Sequence, residues 1–208
     1  MAVILCYGDS NTHGTRPMLE AGISERFDVG ARWPDAMASA LGPDHQVIAE
    51  GLPGRTTVHD DIVEGGARNG LAVLPAILHS HKPLDLMILM LGTNDLKNRF
   101  SMTAYEIARS LERMVLATRA EDVVDNILLV APAPVKECGT LVDVFAGAEA
   151  RQTGLETHIR QVADRLGCGF VAAGDTVAVS DGDGVHWEEE AHLRFGAVMA
   201  QAVKARLR

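Results

Sequence analysis

The chain has 208 residues, of which 47% are hydrophobic and 23% charged, a composition typical of one globular domain spanning residues 1–208. Its formal net charge of −9 repels phosphate backbones and anionic lipid, so nucleic acid and membrane surfaces are poor candidate partners. Three widely spaced cysteines form no CxxC pair, and the opening apolar run reaches Gly8-Asp9 too early for a signal peptide. We therefore expect a cytoplasmic protein with reduced thiols and no membrane span.

Short apolar runs and longer amphipathic segments alternate along the chain. The runs that predict strands are residues 3–7, 46–49, 86–91, 127–131 and 169–172. The segments that predict helices are residues 32–41, 71–80, 103–119, 149–166 and 188–207. The second of these helices contains Pro75, which must lie in its first turn or kink it. Near-continuous apolarity is typical of parallel strands covered on both faces, so we expect an α/β fold, a three-layer α/β/α domain with a five-stranded parallel sheet.

Two long irregular stretches, residues 52–68 and 132–147, interrupt this alternation. Loops of this length are usually functional or form contacts between subunits. The apolar cluster at residues 141–145 could belong to the core, a lid or a subunit interface, and we favour an interface. In an open parallel sheet, ligands bind at the carboxyl ends of the strands, so the loops there are the candidate site.

Four such loops carry the groups that acyl transfer needs. They are residues 8–12, 50–56, 92–95 and 183–187, which supply Ser10, Gly51, Asn94, Asp183 and His186. A serine hydroxyl needs a neighbouring base, and that imidazole needs an acceptor for its other nitrogen. The two residues between Asp183 and His186 allow a turn that brings the carboxylate back beneath the ring. A backbone donor at a flexible turn and a side-chain amide can stabilise the tetrahedral oxyanion.

Each of these residues also has a simpler structural interpretation. Ser10 could cap a helix, Asn94 could form an Asx-turn, and Gly51 could permit a positive φ. His192 competes with His186 as the base, and Asp181 competes with Asp183 as its acceptor. The pairs His79/His81 and Glu189/His192 could each offer two metal ligands, but neither has a third partner at recognisable spacing, so we expect no metal.

The combination of motifs resembles the SGNH hydrolases, also called GDSL-type esterases and lipases. Ser10, Gly51, Asn94 and His186 match the four residues that name the family. The stretches that resemble its bacterial arylesterase, acyltransferase and carbohydrate acetylesterase branch are residues 4–10, 50–52, 55–57 and 90–95. The resemblance covers the whole chain and implies a flavodoxin-like sheet, no cofactor, and frequent assembly into homo-oligomers.

The family resemblance also implies residue roles. It implies a catalytic triad of Ser10, Asp183 and His186, with an oxyanion hole formed by the backbone amides of Ser10 and Gly51 and the side chain of Asn94. Many relatives have Leu-Thr-Trp-Gly after the nucleophile, whereas this chain has Asn-Thr-His-Gly at residues 11–14. We therefore assign Asn11 and His13, together with Trp187 beside the base, to the wall of the substrate pocket, although Trp187 could equally anchor the core.

The predicted function is hydrolysis of small-molecule, short-chain (acetyl-type) carboxylic esters through an acyl-serine, with possible transfer of the acyl group to alcohols. Within this class, a carbohydrate acetylesterase is the alternative. From another class, the alternative is a flavodoxin-like binding domain without catalysis. No phosphate-cradling Gly-x-Gly-x-x-Gly or Walker loop follows any predicted strand, which weakens that second alternative.

Overall fold

A computed structural model of the chain describes residues 1–20 and 22–207, so Ala21 and Arg208 of the expected 1–208 domain lie outside the described residues. The strands are β1 (Ala2–Gly8), β2 (His45–Gly51), β3 (Leu86–Met90), β4 (Ile127–Ala131) and β5 (Gly169–Ala172). The helices are α1 (Ser10–His13), α2 (Trp33–Leu41), α3 (Gly70–His81), α4 (Ala104–Ala120), α5 (Ala148–Arg151), α6 (Leu155–Leu166) and α7 (Glu189–Arg206). All five predicted strands are confirmed to within two residues.

The five strands form one parallel sheet in the order β2-β1-β3-β4-β5. This is the flavodoxin-like order, and the predicted three-layer α/β/α architecture is confirmed. Gly8, the last residue of β1, pairs with Gly51 of β2 and with Met90 of β3. The loops that follow these three strands therefore begin side by side, at the point where the strand order reverses.

The two faces of the sheet bury separate apolar cores because successive side chains of a strand point to opposite faces. On one face, Ile4, Cys6 and Ile88 pack with Trp33 of α2 and Phe195 of α7. On the other, residues such as Leu5, Tyr7 and Leu89 pack with α3, α4 and α6. No helix within the described residues is long and apolar enough to cross a membrane.

Helix boundaries follow local capping. The hydroxyl of Thr103 accepts a hydrogen bond from the backbone N–H of Glu106, whose carboxylate accepts one from the Thr103 backbone. This reciprocal capping box starts α4 one residue later than predicted. In α3, Pro75 lies beyond the first turn, inside the helix.

The single helix predicted for residues 149–166 is wrong, because the structure divides it into α5 and α6. Gly154 adopts a φ of +83°, in the left-handed region where a helix cannot continue. Just before it, the side-chain amide of Gln152 bonds the backbone of Val135 twice, donating to its carbonyl and accepting from its N–H, both at 2.8 Å. Gln152, at the break between α5 and α6, therefore fixes the long loop that follows β4 through these two hydrogen bonds.

Candidate active site

Ser10 is the first residue of α1, directly after the end of β1. Asp9 caps this short helix by accepting a hydrogen bond from the backbone N–H of Asn11 at 3.0 Å. Burial raises the pKa of Asp9 to about 6, although the Asn11 bond and attraction to His186 act in the opposite direction. The strand-to-helix turn therefore fixes the position of the Ser10 hydroxyl, and Ser10 is only 5% exposed.

Ser10, His186 and Asp183 form a continuous hydrogen-bonded chain. The Ser10 Oγ lies 3.0 Å from His186 Nε2, and His186 Nδ1 lies 2.5 Å from Asp183 Oδ2. These are the separations required for a base that accepts a hydroxyl proton and a carboxylate that fixes the base's tautomer. The structure thus brings together the three residues of the predicted triad, although Ser10 and His186 are 176 positions apart in the sequence.

Asp183 is completely buried, and its carboxylate accepts hydrogen bonds from the turn that it begins and from a distant loop. Its Oδ1 accepts from the backbone N–H groups of Val185 and His186, both at 2.9 Å. Its Oδ2 also accepts from the backbone N–H of Met18 at 2.8 Å. Burial alone would raise the pKa of Asp183, but the His186 and Met18 interactions outweigh it and hold that pKa below the ordinary value. Asp183 therefore remains an anion beneath the imidazole.

Asn94 begins a short 3-10 turn after β3 and lines the same cavity as Ser10 and His186. Its Nδ2 donates to the backbone carbonyl of Arg55 at 3.1 Å. An amide nitrogen carries two hydrogens, so this bond orients Asn94 and leaves its second N–H for another acceptor.

Gly51 ends β2 and lies against α1. A Cβ at this position would approach the backbone nitrogen of His13 to 2.2 Å, so a side chain would displace α1. Close packing, rather than a positive φ, therefore explains the glycine. The backbone of Gly51 therefore lies beside α1, the short helix that Ser10 begins.

Two buried residues join the loops that surround the site. The guanidinium of Arg55 donates to the carbonyls of Gly8 (2.8 Å) and Glu50 and lies over the Tyr7 ring, 4.1 Å from its centroid. Arg55 therefore fixes the loop that follows β2 against the end of β1. The carboxylate of Asp95 accepts from the backbone and hydroxyl of Thr57. Asp95 therefore connects the loop after β3 to the loop after β2.

A cavity of about 540 Å³ opens at the Ser10–His186 pair. Its apolar wall includes Leu141, Val144 and Phe145, so these members of the 141–145 cluster line the cavity. Its polar wall includes Glu64, Arg68 and Lys97. The cavity can accommodate a small ester with both apolar and polar portions.

The three residues assigned to the pocket wall lie elsewhere, which corrects that expectation. Asn11 is buried, with its amide bonded to the backbone of Val185 and Trp187 at 3.2 Å each. Trp187 is 1% exposed and packs in the core, its ring centroid 5.1 Å from that of Phe195. His13 bonds Thr15 through Nδ1 at 3.2 Å, and burial, aided by nearby arginines, lowers its pKa to about 4.

The rival triad residues are separated from Ser10. Asp181 has a side chain that is 82% exposed and lies 2.6 Å from Lys136 Nζ. His192 is completely buried against the ring of Trp187, and burial, aided by repulsion from His186, lowers its pKa to about 4. Among residues 1–20 and 22–207, no three His, Cys, Asp or Glu side chains are grouped to hold a metal ion.

Several site residues gave no signal in the sequence. Met18 contacts Asp183 from 165 positions away and through its backbone, which no side-chain motif can indicate. Glu64, Arg68 and Lys97 lie in or beside long loops, and only the fold brings them to the cavity.

Comparisons with known proteins agree with this geometry. The profile of the GDSL-like lipase/acylhydrolase family matches residues 6–194. A carbohydrate acetylesterase from Sinorhizobium meliloti is 37% identical, with a TM-score of 0.93 and coverage of 99% of both chains. An aryl esterase from M. smegmatis is 33% identical, with a TM-score of 0.93 and full coverage of both chains. A second S. meliloti structure, described as a carbohydrate acetylesterase family member, is 39% identical at a TM-score of 0.92, covering 100% of this chain and 99% of the other. None of the curated proteins matches the chain.

Proposed function

The chain belongs to the GDSL-like lipase/acylhydrolase family, and we propose that it hydrolyses short-chain carboxylic esters through an acyl intermediate on Ser10. Membership of this family makes the chain a carboxylic ester hydrolase. The observation that carries the proposal is the 3.0 Å separation between Ser10 Oγ and His186 Nε2, with Asp183 bonded to the opposite ring nitrogen.

In the proposed first half-reaction, His186 accepts the Ser10 proton while Oγ attacks the ester carbonyl carbon. The backbone amides of Ser10 and Gly51 and the second N–H of Asn94 donate to the oxyanion that forms. The carboxylate of Asp183 stabilises the imidazolium. The tetrahedral intermediate then collapses, the carbon–oxygen bond to the alcohol breaks, and His186 returns the proton to the leaving oxygen.

In the second half-reaction, His186 accepts a proton from a water molecule, whose oxygen attacks the acyl carbon. The bond between that carbon and Ser10 Oγ then breaks, His186 returns the proton to Oγ, and the carboxylic acid is released. An alcohol in place of water would give a new ester, so acyl transfer uses the same residues. The proposed reaction needs no metal or organic cofactor, because the developing charge is met by N–H donors and by His186.

Short acyl groups, acetyl above all, are the proposed substrates. The volume of about 540 Å³ supports a small ester, and the similar S. meliloti and M. smegmatis proteins are an acetylesterase and an aryl esterase. Removal of acetyl groups from sugars is the second candidate, favoured by the polar wall of the cavity and by the two acetylesterase structures.

We further propose that residues 1–208 act as one hydrolase domain in the cytoplasm and assemble into a homo-oligomer. Three free thiols support a reducing compartment. Exposed apolar side chains on the loops near the cavity support assembly, since monomers rarely expose such groups together. They are Leu19, Ile23, Val29, Ile62 and Val63.

The proposal is tested by trapping the intermediate. A serine-directed phosphonate, or rapid quenching of 4-nitrophenyl acetate turnover, is expected to label Ser10 and no other serine in a mass-spectrometric digest. A series of 4-nitrophenyl esters with lengthening acyl chains, together with acetylated xylose and glucose, then ranks the substrates. Labelling elsewhere, or turnover without a labelled Ser10, would refute the mechanism.

A further inference from the structure

Arg68 lies on the wall of the cavity that contains Ser10 and His186. Its backbone carbonyl accepts a hydrogen bond from the backbone N–H of Thr56 at 2.9 Å, which fixes this part of the loop. Its side chain runs close to two glycines: a Cβ on Gly54 would lie 3.0 Å from Nε, and one on Gly66 would lie 3.0 Å from Nη1. The guanidinium therefore occupies a narrow space that glycines leave open.

The other charges on this side of the cavity neutralise one another. Lys97 Nζ lies 3.2 Å from Asp61 Oδ2 and 2.5 Å from Glu64 Oε2. Arg99 Nη2 lies 2.8 Å from Asp61 Oδ2 and also contacts Glu64 Oε1. Two carboxylates thus meet two cations, and both oxygens of Glu64, the acidic residue that lines the cavity, already have cationic partners.

Arg68 is outside this balanced group. Within the part of the chain that the structure describes, no carboxylate forms an ion pair with it, and its buried Nε has no hydrogen-bond partner. Burial lowers the pKa of Arg55, and repulsion from Arg68 is among the further causes. One positive charge without an ion-pair partner among the described residues therefore lines the cavity near the buried Arg55, and an anion bound to its terminal nitrogens would offset the repulsion between the two arginines.

We propose that Arg68 binds a carboxylate carried by the substrate, so that the preferred substrates are short esters with one additional carboxylate. A guanidinium can donate two parallel hydrogen bonds to a carboxylate, which gives orientation as well as attraction. The extra carboxylate belongs either to the acyl group, as in a half-ester of a dicarboxylic acid, or to the alcohol, as in an acetylated hydroxy acid. This inference rests on the ester hydrolysis proposed above and assigns its substrate class.

The test uses two pairs of esters. Mono(4-nitrophenyl) succinate and its neutral methyl ester place the charge on the acyl group, whereas 4-acetoxybenzoate and its methyl ester place it on the leaving group. For at least one pair, Arg68→Gln is expected to lower the anionic-to-neutral ratio of kcat/KM by about tenfold or more, because hydrogen bonds to charged groups are the strong ones. Arg68→Lys should recover part of that ratio, since it restores the charge without the planar donors.

Arg113 provides the matched control, because it is exposed on α4 and takes part in no ion pair within the described residues. Arg113→Gln should leave the ratio unchanged for both pairs. If Arg68→Gln leaves both ratios at their wild-type values, or Arg113→Gln lowers them equally, the inference is overturned. A drop confined to one pair identifies the portion of the ester that carries the carboxylate.

Binding to a variant that cannot turn over separates this inference from the proposed reaction. Calorimetric titration measures the binding of 4-acetoxybenzoate and of mono(4-nitrophenyl) succinate to Ser10→Ala and to the double variant Ser10→Ala/Arg68→Gln. The double variant should bind at least one of the two esters about tenfold or more weakly. Equal affinities, or no binding of either ester, would overturn the role of Arg68. Failure of the wild type to hydrolyse any ester would instead refute the proposed function. The calorimetric result would then still show whether Arg68 binds a carboxylate.

Discussion

The side-chain oxygen of Asn11 accepts a hydrogen bond from the backbone N–H of Trp187 over 3.2 Å. The Nδ2 of the same amide donates to the carbonyl of Val185, also at 3.2 Å. These two backbone groups flank His186, and Asn11 directly follows Ser10. The buried side-chain amide of Asn11 therefore fixes the position of His186 relative to Ser10. Asn11, which was expected to shape the substrate pocket, instead aligns the reacting groups.

Asn11→Ala is expected to lower kcat about 10- to 100-fold, because a displacement near 1 Å between reacting groups has effects of this size. It should also reduce the free energy of unfolding by about 1–3 kcal/mol, since two buried backbone groups lose their partners. Steady-state kinetics and urea unfolding measure the two effects. Asn126→Ala is the control, because Asn126 similarly bonds Arg206 through both amide atoms, at 3.2 Å and 3.0 Å, among residues that do not line the cavity. Equal losses of kcat in the two variants would contradict the alignment role.

Asn94→Ala is expected to reduce kcat about 100- to 1000-fold with little change in KM, because an oxyanion donor acts mainly in the transition state. Kinetics with 4-nitrophenyl acetate measure this split. Asn69→Ala is a suitable control, since Asn69 caps α3 and does not line the cavity. That variant should lose roughly 1 kcal/mol of stability and retain its kcat. A wild-type kcat in Asn94→Ala would remove the amide from the mechanism.

Asp183→Asn should lower kcat by about 10⁴-fold, because the amide cannot stabilise the imidazolium and favours the wrong tautomer. Since the pKa of Asp183 is lowered in the folded state, its ionisation stabilises the fold above the ordinary carboxyl pKa. That contribution is lost as the pH falls through the lowered folded-state value, and Asp183→Asn should lack it. Kinetics and denaturant unfolding across acidic pH measure both effects. Asp181→Asn, at an exposed side chain, should match the wild type in both assays, and an inactive Asp181→Asn would reverse the assignment.

The sequence predicted the sheet well because each strand is a short apolar run bounded by turn residues. It also indicated the candidate site residues, since Ser10 and Asn94 follow strands and His186 precedes the last helix, at ends that a parallel sheet brings together. The contacts of Asn11 and Asp95 were not predictable, because they join loops whose relative placement depends on packing. The break between α5 and α6 was missed because the apolar period continues across Gly154, and only its positive φ interrupts the helix.

Asp9 should make stability depend on pH in the opposite direction from Asp183. Because burial raises the pKa of Asp9 from its ordinary value of 3.8 to about 6, the folded state holds an extra proton between these values. Its contribution to stability therefore falls as the pH rises from about 4 to 6.

Asp9→Asn retains an oxygen to cap α1 and removes this titration. The variant should gain about 1–3 kcal/mol of unfolding free energy relative to the wild type at pH 7, and the gain should vanish below about pH 4. Denaturant unfolding from pH 4 to 8 measures the difference, with the exposed Asp125→Asn as the control. A gain that does not change with pH would show that Asp9 does not titrate in this range.

Hydrolysis of 4-nitrophenyl acetate by Ser10→Ala tests the proposed nucleophile most directly. Ser110→Ala is the matched control, because Ser110 lies on α4 and its hydroxyl donates to the carbonyl of Glu106 at 2.9 Å, away from the cavity. Ser10→Ala should lose about 10⁴-fold or more of kcat while folding like the wild type, and Ser110→Ala should retain full activity. Equal hydrolysis by wild type and Ser10→Ala would contradict the assignment of Ser10 as the nucleophile.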